Sequence, residues 1–333
     1  MFIDDILNYR SLSIVGMEKN TGKTEALNYV IRQLDRRGKT AAVTSIGIDG
    51  ENVDLVTHTH KPEIKLPENT IFITSEKHYK QRMLSSEILD ISNRRTALGR
   101  LVTARVKMPG KVILSGPPTA TWLKENIQQL QRYNPDITIV DGALSRKSLG
   151  SPAVTDCMIL TTGAALSTHL PELISKTKYI TQLINIEEYE TKNTDYLLNL
   201  ENGIYAIGGD GEIHDLKIPS SLLLEQYHDR LYAYGSTIYV AGIVTGKVLE
   251  LLRVQKEIAD TTLVVKDFSK IYASKENVRA FLKKGGKISV LLKTRLIAVC
   301  INPLSPSGYL MDSDLLKLEL EKALDIPVYD IKK

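Results

Sequence analysis

Short apolar runs rich in β-branched residues alternate along this chain with longer stretches in which apolar positions recur every three or four residues. The first run covers 12–15, and the stretch that follows it extends from 22 to about 37 and stops at Gly38. A continuous apolar run is typical of a strand buried on both faces, whereas 3.6-residue spacing is typical of an amphipathic helix. The pattern therefore predicts a strand and then a helix whose core-facing residues are Ala26, Leu27, Val30, Ile31 and Leu34.

The same alternation continues through most of the chain and indicates an α/β fold with a mostly parallel, doubly wound sheet. In the first half we predict strands at 40–48, 70–75, 136–143, 157–161 and 181–186, helices at 76–93 and 119–133, and a hairpin at 101–115 that turns at 108–110. A second hairpin is predicted around Gly208-Gly209-Asp210-Gly211, because glycine and aspartate favour tight turns. Alternating strands and helices resume at 237.

The junction between the first predicted strand and helix carries candidate chemistry. Five residues, 17–21, separate Gly16 from a Gly-Lys-Thr sequence that opens the helix. Backbone N–H groups of such a loop, backed by the positive end of a helix dipole, bind phosphates. We predict a nucleotide-binding loop whose contributing residues are Gly16, Glu18, Lys19, Asn20, Thr21, Gly22, Lys23, Thr24 and Glu25.

The chemistry of two side chains of this loop suits them to specific roles in nucleotide binding. Lys23 would reach the β- and γ-phosphates as a point charge, and the Thr24 hydroxyl would complete a Mg²⁺ shell formed mostly by water and phosphate oxygens. A glycine-rich turn without a ligand is the alternative. We predict Lys23 as a catalytic residue and Thr24 as a metal ligand.

The β-branched run 136–143 resembles a Walker B strand and carries Asp141-Gly142 near its end. Asp141 is a second candidate site residue. A carboxylate at a strand end can bind Mg²⁺ or orient the attacking water. Ligands of doubly wound sheets lie beyond the carboxyl ends of the strands, where Asp49 and Glu51 follow the predicted strand 40–48. Asp141 is therefore predicted as both a catalytic residue and a metal ligand, and Asp49 is placed to face the same phosphates.

We expect three parts along the chain: a P-loop nucleotide-binding domain at 1–180, a connecting segment with a β-hairpin at 181–235, and a C-terminal α/β domain at 236–333. The loop 302–309 of the last part contains two prolines and a glycine, which together make a rigid turn. Such a loop can shape a ligand or partner site.

Composition narrows the class of protein. The 333 residues are 43% hydrophobic, and the net charge of +4 is dispersed over 43 basic and 39 acidic residues, so no nucleic-acid partner is expected. The longest apolar region, 288–301, is interrupted by charges, and the acidic start 1–5 does not match a signal or transit peptide. We expect a cytoplasmic protein without a membrane partner. Cys157 and Cys300 each lie in an apolar run and are predicted to be buried thiols.

The five-residue spacing of the loop resembles that of dethiobiotin synthetases and cobyric acid synthases. These families belong to a P-loop branch, the SIMIBI class, that also holds MobB proteins, MinD-type ATPases and GTPase chaperones of cobalamin-dependent mutases. MinD-type loops carry an additional lysine where this chain has Glu18, so the MinD type is disfavoured. In these families an acidic residue just after the second strand helps to hold Mg²⁺, and the resemblance assigns that role to Asp49.

A narrower resemblance rests on four segments together. Residues 15–24, 44–51 and 140–143, with Asn302-Pro303 and Ser305-Pro306, are similar to small P-loop proteins associated with lysine and ornithine aminomutases in amino-acid-fermenting bacteria. The resemblance implies a reactivating chaperone that acts with a MutS-like ATPase on a cobalamin-dependent aminomutase.

The expected function is that of a Mg²⁺-dependent NTPase. ATP is favoured because no Asn-Lys-x-Asp guanine-reading sequence occurs, and GTP is left open. Two alternatives remain: an ATP-dependent ligase or kinase for a small carboxylate, and a nucleotide-dependent binding module with little hydrolysis. The expected partners are the nucleotide, the aminomutase and the MutS-like ATPase, and a homodimer is left open.

Overall fold

The computed structural model describes residues 2–47, 63–143 and 154–332. The predicted metal ligand Asp49 lies outside the described residues, as do Gly50 and Glu51. The fold is α/β, with one large mixed sheet that is mostly parallel. The chain divides into two compact units, the first comprising Met1–Lys178 and Arg295–Lys333 and the second Tyr179–Thr294.

The strands of the described residues are, in chain order, β1 (Ser11–Gly16), β2 (Ala41–Ser45), β3 (Ile64–Leu66), β4 (Ile71–Ser75), β5 (Met83–Thr96), β6 (Gly99–Val112), β7 (Ile137–Ala143), β8 (Cys157–Gly163), β9 (Ile204–Ile207), β10 (Ile213–Ile218), β11 (Thr237–Val240), β12 (Val244–Thr245), β13 (Thr262–Val265), β14 (Ile271–Tyr272), β15 (Lys287–Val290), β16 (Arg295–Asn302) and β17 (Val328–Asp330).

The α-helices of the described residues are α1 (Phe2–Ile6), α2 (Lys23–Asp35), α3 (Glu76–Lys80), α4 (Ala120–Leu130), α5 (Leu170–Ile184), α6 (Thr194–Leu198), α7 (Gly246–Arg253), α8 (Lys275–Lys283) and α9 (Ser313–Ala323). Short 3-10 helices cover Gln131–Tyr133, Ser221–Arg230 with a kink at Tyr227, Lys256–Asp260 and Phe268–Lys270. None of the helices in the described part of the chain has the length and apolar character needed to cross a bilayer.

The sheet of the first unit has the strand order β17-β16-β8-β1-β7-β2-β4-β6-β3, and β5 pairs with β6. Every neighbouring pair from β17 to β4 is parallel, whereas β6 is antiparallel to β3, β4 and β5. Strands β1, β2, β4 and β8 are buried at every position, although each also contains serine or threonine, and burial was predicted for β2. The carboxyl ends of the parallel strands therefore lie along one edge of the sheet.

Helix α2 packs its predicted apolar face into the core of the first unit. Leu27, Ile31 and Leu34 are at most 1% exposed, and they share one hydrophobic cluster with Leu12 and Ile14 of β1. Burial of such a side chain contributes about 1.5–3 kcal/mol. This packing fixes the helix beside the strand that precedes it.

The second unit contains a five-stranded sheet with the order β10-β9-β11-β13-β15. Strands β11, β13 and β15 are parallel, and β9 is antiparallel to both β10 and β11. The hairpin predicted at 208–211 is confirmed: Gly208 N donates to Glu212 O at 2.9 Å, and Gly211 N donates to Gly208 O at 2.8 Å. A two-stranded sheet of β12 and β14 completes this unit.

The predicted helix at 76–93 is wrong beyond its first turn. After α3, residues 83–96 form β5, which pairs with β6 and turns into it at 97–98 rather than 108–110. Apolar residues at 84, 88 and 91 imitate helical spacing, but pairing with β6 supplies the backbone hydrogen bonds of a strand. Pro109 has no N–H to donate, and the pairing register shifts around it instead of turning there.

The predicted strand at 181–186 is also wrong, since α5 continues to Ile184. Thr177, Thr181 and Ile184 are all buried, and their spacing of four and three residues is that of one helix face. Pro171 lies in the first turn of this helix, where its missing N–H costs nothing.

The division of the chain differs from the expected boundaries at 180 and 235. Residues 295–333 belong to the first unit, because β16 pairs with β8 from Arg295 to Asn302 and β17 then pairs with β16. Strand β16 is buried along most of its length, and it lies between β8 and β17 in the large sheet. The second unit is therefore an insertion in sequence between two parts of the first.

Both cysteines are buried free thiols, as predicted. Desolvation raises the pKa of Cys300 to about 12, and desolvation together with the nearby charge of Asp156 raises the pKa of Cys157 well above its usual range. The thiolate is the reactive form, so both side chains stay in the unreactive thiol form at pH 8.

We predict that neither cysteine of the folded protein reacts with Ellman's reagent at pH 8 over the time of a standard assay. In guanidinium chloride both side chains regain an ordinary thiol pKa, and two thiols per chain should react. Absorbance at the wavelength of the released thionitrobenzoate measures both. Rapid reaction of one thiol in the native protein would contradict the burial described above.

Candidate functional site

The predicted phosphate loop lies at the carboxyl edge of the large sheet. It joins β1 to α2, and the last residue of β1, Gly16, is in register with Ala143 of β7 and Thr161 of β8. The loop therefore starts between the ends of two parallel strands. Ligands of α/β sheets bind at this edge, where helix N-termini and strand carboxyl ends meet.

Lys23 and Asp141 meet at this edge. Asp141 is in register with Ile14 of β1, and its Oδ1 lies 3.5 Å from the Nζ of Lys23. The side chains are only 19% and 17% exposed, and Asp141 Oδ1 is buried without a hydrogen bond among the described residues. A contact of 3.5 Å compensates charge but is longer than a charge-assisted hydrogen bond. The ammonium of Lys23 and the carboxylate of Asp141 can therefore each form a shorter hydrogen bond with another group.

Thr21 holds the loop on β8. Its side chain is 1% exposed, and its Oγ1 donates to Glu18 O at 2.8 Å and shares a hydrogen bond of 3.1 Å with Thr161 Oγ1. Met17 N also donates to Thr161 O at 3.0 Å. The hydroxyl of Thr21, a predicted site residue, therefore makes its hydrogen bonds to other protein groups, and its side chain stabilises the loop internally.

Gly16 allows this close packing. A Cβ added at Gly16 would lie 2.7 Å from both Lys23 Cγ and Thr21 Oγ1, closer than real Cβ contacts. Any larger residue would displace the lysine stem or the buried threonine. The first glycine of the loop therefore determines the path of the Lys23 side chain.

The cap residue of α2 has no side chain that could accept from the first N–H groups of the helix. Gly22 occupies the cap position with a positive φ of 93°, and the first intrahelical bond runs from Ala26 N to Gly22 O. Side chains do cap other helices of this chain, namely Ser75, Thr119, Ser274 and Asp312. An uncapped N-terminus leaves its first N–H groups to water or to an anionic ligand.

The other predicted loop residues surround this N-terminus. Glu18 and Lys19 are exposed, and Lys19 N donates to Glu18 Oε1 at 3.2 Å. Asn20 is half-buried with a φ of 62°, in the left-handed region that asparagine tolerates better than most residues. Thr24 and Glu25 are half-buried in the first turn of α2.

The predicted metal site is described only in part. Thr24 and Asp141 belong to the two elements that meet at this edge, whereas Asp49 lies outside the described residues. Within 2–47, 63–143 and 154–332, no group of three or more histidine, cysteine or acidic side chains is placed to hold a metal. Mg²⁺ needs only one or two carboxylates when phosphate oxygens and water complete its shell, and Asp141 Oδ1, which makes no hydrogen bond among the described residues, fits that requirement.

Asn302, at the end of β16, is a contact of the loop that the sequence did not connect with it. Its Nδ2 donates to Asn20 O at 3.0 Å, and its main-chain O accepts from Ala164 N at 3.0 Å. The available signal was a polar residue directly after an apolar run, which Asn302 shares with Asp141. Thr161 is a second contact of the loop that the sequence did not identify, and it too is a polar residue directly after an apolar run.

Comparison with protein-family models finds no match for this chain, and comparison with curated proteins finds none either. The functional assignment therefore rests on the chemistry of the loop and the strand ends. The residues that carry it are Lys23, Thr24 and Asp141.

We predict that Thr21→Val destabilises the first unit by about 1–3 kcal/mol, because the change keeps the side-chain shape but leaves Glu18 O and Thr161 Oγ1 without their partner. Thr24→Val is the matched control, since this hydroxyl is half-buried at the adjacent helix start, and its effect should stay within about 0.5 kcal/mol. Urea unfolding followed by circular dichroism measures both. Equal losses would contradict the role given to Thr21.

Proposed function

We propose that this chain binds a Mg²⁺–nucleoside triphosphate, with ATP favoured over GTP, at the loop 16–24 and hydrolyses it. One observation carries the proposal: the Nζ of Lys23, the first residue of α2, lies 3.5 Å from Asp141 Oδ1 near the end of β7, the strand parallel to β1. A cation, a helix N-terminus and a carboxylate are thereby combined in one place. Phosphoryl transfer needs this combination.

The loop would bind the triphosphate through its charge and its donors. The N–H groups at the start of α2 and the ammonium of Lys23 would hold the β- and γ-phosphates. Thr24, Asp141 and Asp49 would hold Mg²⁺, which would further neutralise the phosphate charge. The fit of these residues rests on the buried oxygen of Asp141 that makes no hydrogen bond among the described residues.

Hydrolysis would be positional and electrostatic. A phosphate offers Lys23 a closer and more highly charged partner than the carboxylate 3.5 Å away. Once Lys23 has turned to the phosphate, the Asp141 carboxylate is available to orient the attacking water or to accept its proton. The same two residues would thus have different partners before and after nucleotide binding.

The narrower proposal is a reactivating chaperone for a cobalamin-dependent aminomutase, acting with a MutS-like ATPase. Its support is the resemblance of four segments, one of which begins with Asn302 and contacts the loop at Asn20. Nucleotide hydrolysis would be used for a conformational change that opens the partner and lets a damaged cofactor leave. The second unit, 179–294, supplies a further surface on which such a partner could act.

We predict that Lys23→Ala weakens MgATP binding by about 10- to 100-fold, since one charge-assisted contact to phosphate is lost. Lys247→Ala is the matched control: this lysine also follows a Thr-Gly pair at a helix start, on α7, but it is exposed and belongs to the other unit. Isothermal titration calorimetry measures both affinities. Unchanged affinity in Lys23→Ala would refute the proposed site.

We predict ATP turnover without any added small molecule, with a rate that rises when the aminomutase and its MutS-like ATPase are present. Asp141→Asn should lower the turnover number by about 100-fold or more, because a carboxylate that orients water is lost. Asp136→Asn is the control: this carboxylate precedes the opposite end of β7 and binds Lys39 Nζ at 3.0 Å. Released phosphate measures turnover.

Two results of the same assay would contradict the NTPase proposal. Turnover that strictly requires a small carboxylate would assign the chain to the ligase or kinase class. Tight MgATP binding without turnover under any of these conditions would leave a binding module.

A further inference from the structure

The end of β16 lies against the phosphate loop, although 282 residues separate Asn302 from Asn20. Asn302 is the last residue of that strand, is 9% exposed, and is in register with Gly163 at the end of β8. Its side chain reaches across to the loop, where its Nδ2 donates to Asn20 O at 3.0 Å. The carboxamide oxygen accepts from Leu304 N at 3.4 Å. Both ends of this amide are therefore occupied by protein groups.

Two glycines bring Asn302 this close. A Cβ at Gly163 would lie 1.9 Å from Asn302 O, and a Cβ at Gly22 would lie 2.9 Å from Asn302 Cβ. Gly22 also has a positive φ of 93°. The cap residue of α2 and the side chain of Asn302 thus touch directly, and a side chain at either glycine would force the loop and β16 apart.

The hydrogen bond to Asn20 acts on the orientation of one peptide group. In a trans peptide the C=O and the next N–H point in opposite directions, and no cis peptide occurs in the described residues. With the Asn20 carbonyl held on Asn302, the N–H of Thr21 is turned to the opposite side of the loop. A free carbonyl could rotate towards a bound anion and repel it, whereas a carbonyl that accepts from Asn302 is held in place.

We infer that Asn302 is a positioning residue that holds the phosphate loop in its anion-binding conformation through the Asn20 carbonyl. This inference rests on the proposed function, because it concerns the affinity of the same loop. Asn302 touches the loop and not the reacting atoms. Its effect is on phosphate binding, and it does not depend on the base of the nucleotide.

Asn302→Asp tests the inference with nearly constant side-chain size. The change replaces the donor facing Asn20 O with an acceptor, so that a hydrogen bond becomes a repulsion. Asn193→Asp is the matched control, because Asn193 Nδ2 also donates to a main-chain oxygen, that of Gly211 at 2.7 Å, in the other unit. The full-length chain is used in each case, at a temperature where circular dichroism shows it folded.

Affinities for MgATP and for Mg–tripolyphosphate, which has no base or ribose, are measured by calorimetry or by competition. Asn302→Asp should weaken both ligands by about tenfold, while Asn193→Asp leaves both unchanged. A role in stability alone would lower the unfolding midpoint without changing either affinity, and that result would overturn the inference. Weakened ATP with unchanged tripolyphosphate would also overturn it, since Asn302 would then contact the base or ribose.

Asn302→Ala provides the same comparison if the aspartate variant does not fold, because it removes the donor without adding a charge. Its expected loss is smaller than that of Asn302→Asp but again equal for the two ligands. A wild-type chain that does not bind MgATP would refute the proposed function itself. A wild-type chain that binds, together with Asn302 variants of unchanged affinity, would refute only the role of Asn302.

Discussion

The parallel pairing of β1 with β7 on one side and β8 on the other is the constraint on which the site depends. The register sets Ile14 opposite Asp141 and Gly16 opposite Thr161, so the loop leaves the sheet between a carboxylate and a hydroxyl. Sliding either strand by one residue would reverse the faces of its side chains and break both contacts. The complete burial of β1 makes such a slip costly, since every position would lose its packing.

Strand β16 extends this arrangement to a distant part of the sequence. It adds to the sheet beyond β8, and its last residue, Asn302, contacts Asn20 and Gly22 of the loop. The loop is therefore held at two points, by the contact of Thr21 with Thr161 of β8 and by the contact of Asn20 with Asn302 of β16. A segment that was expected in a separate C-terminal domain therefore contributes to the candidate site.

Much of the large sheet was predictable because several of its strands are short runs of apolar and β-branched residues that are buried on both faces. The buried runs that became β1, β2, β4, β7 and β8 have no helical periodicity. The buried positions of α2, in contrast, follow helical periodicity. Long-range pairing was not predictable. Residues 83–96 have helix-like spacing and become a strand only through β6, and the buried face of α5 that includes Thr181 imitates a strand.

The candidate site was predictable where chemistry is local in sequence. Gly22, Lys23 and Thr24 are adjacent, and Asp141 ends a β-branched run, so the sequence alone is enough to propose both as candidates. Their distance, the burial of Thr21 and the contact of Asn302 depend on strand order and register, which no local pattern encodes. The roles of Lys23, Thr24 and Asp141 stay predictions, and Asp49 lies outside the described residues.

The most direct measurement is a crystal structure of the chain with Mg²⁺ and a non-hydrolysable ATP analogue. The account predicts the β- and γ-phosphates on the N–H groups at the start of α2, with Lys23 Nζ on a phosphate oxygen and no longer beside Asp141. An analogue bound elsewhere, with the contact between Lys23 and Asp141 unchanged, would contradict it.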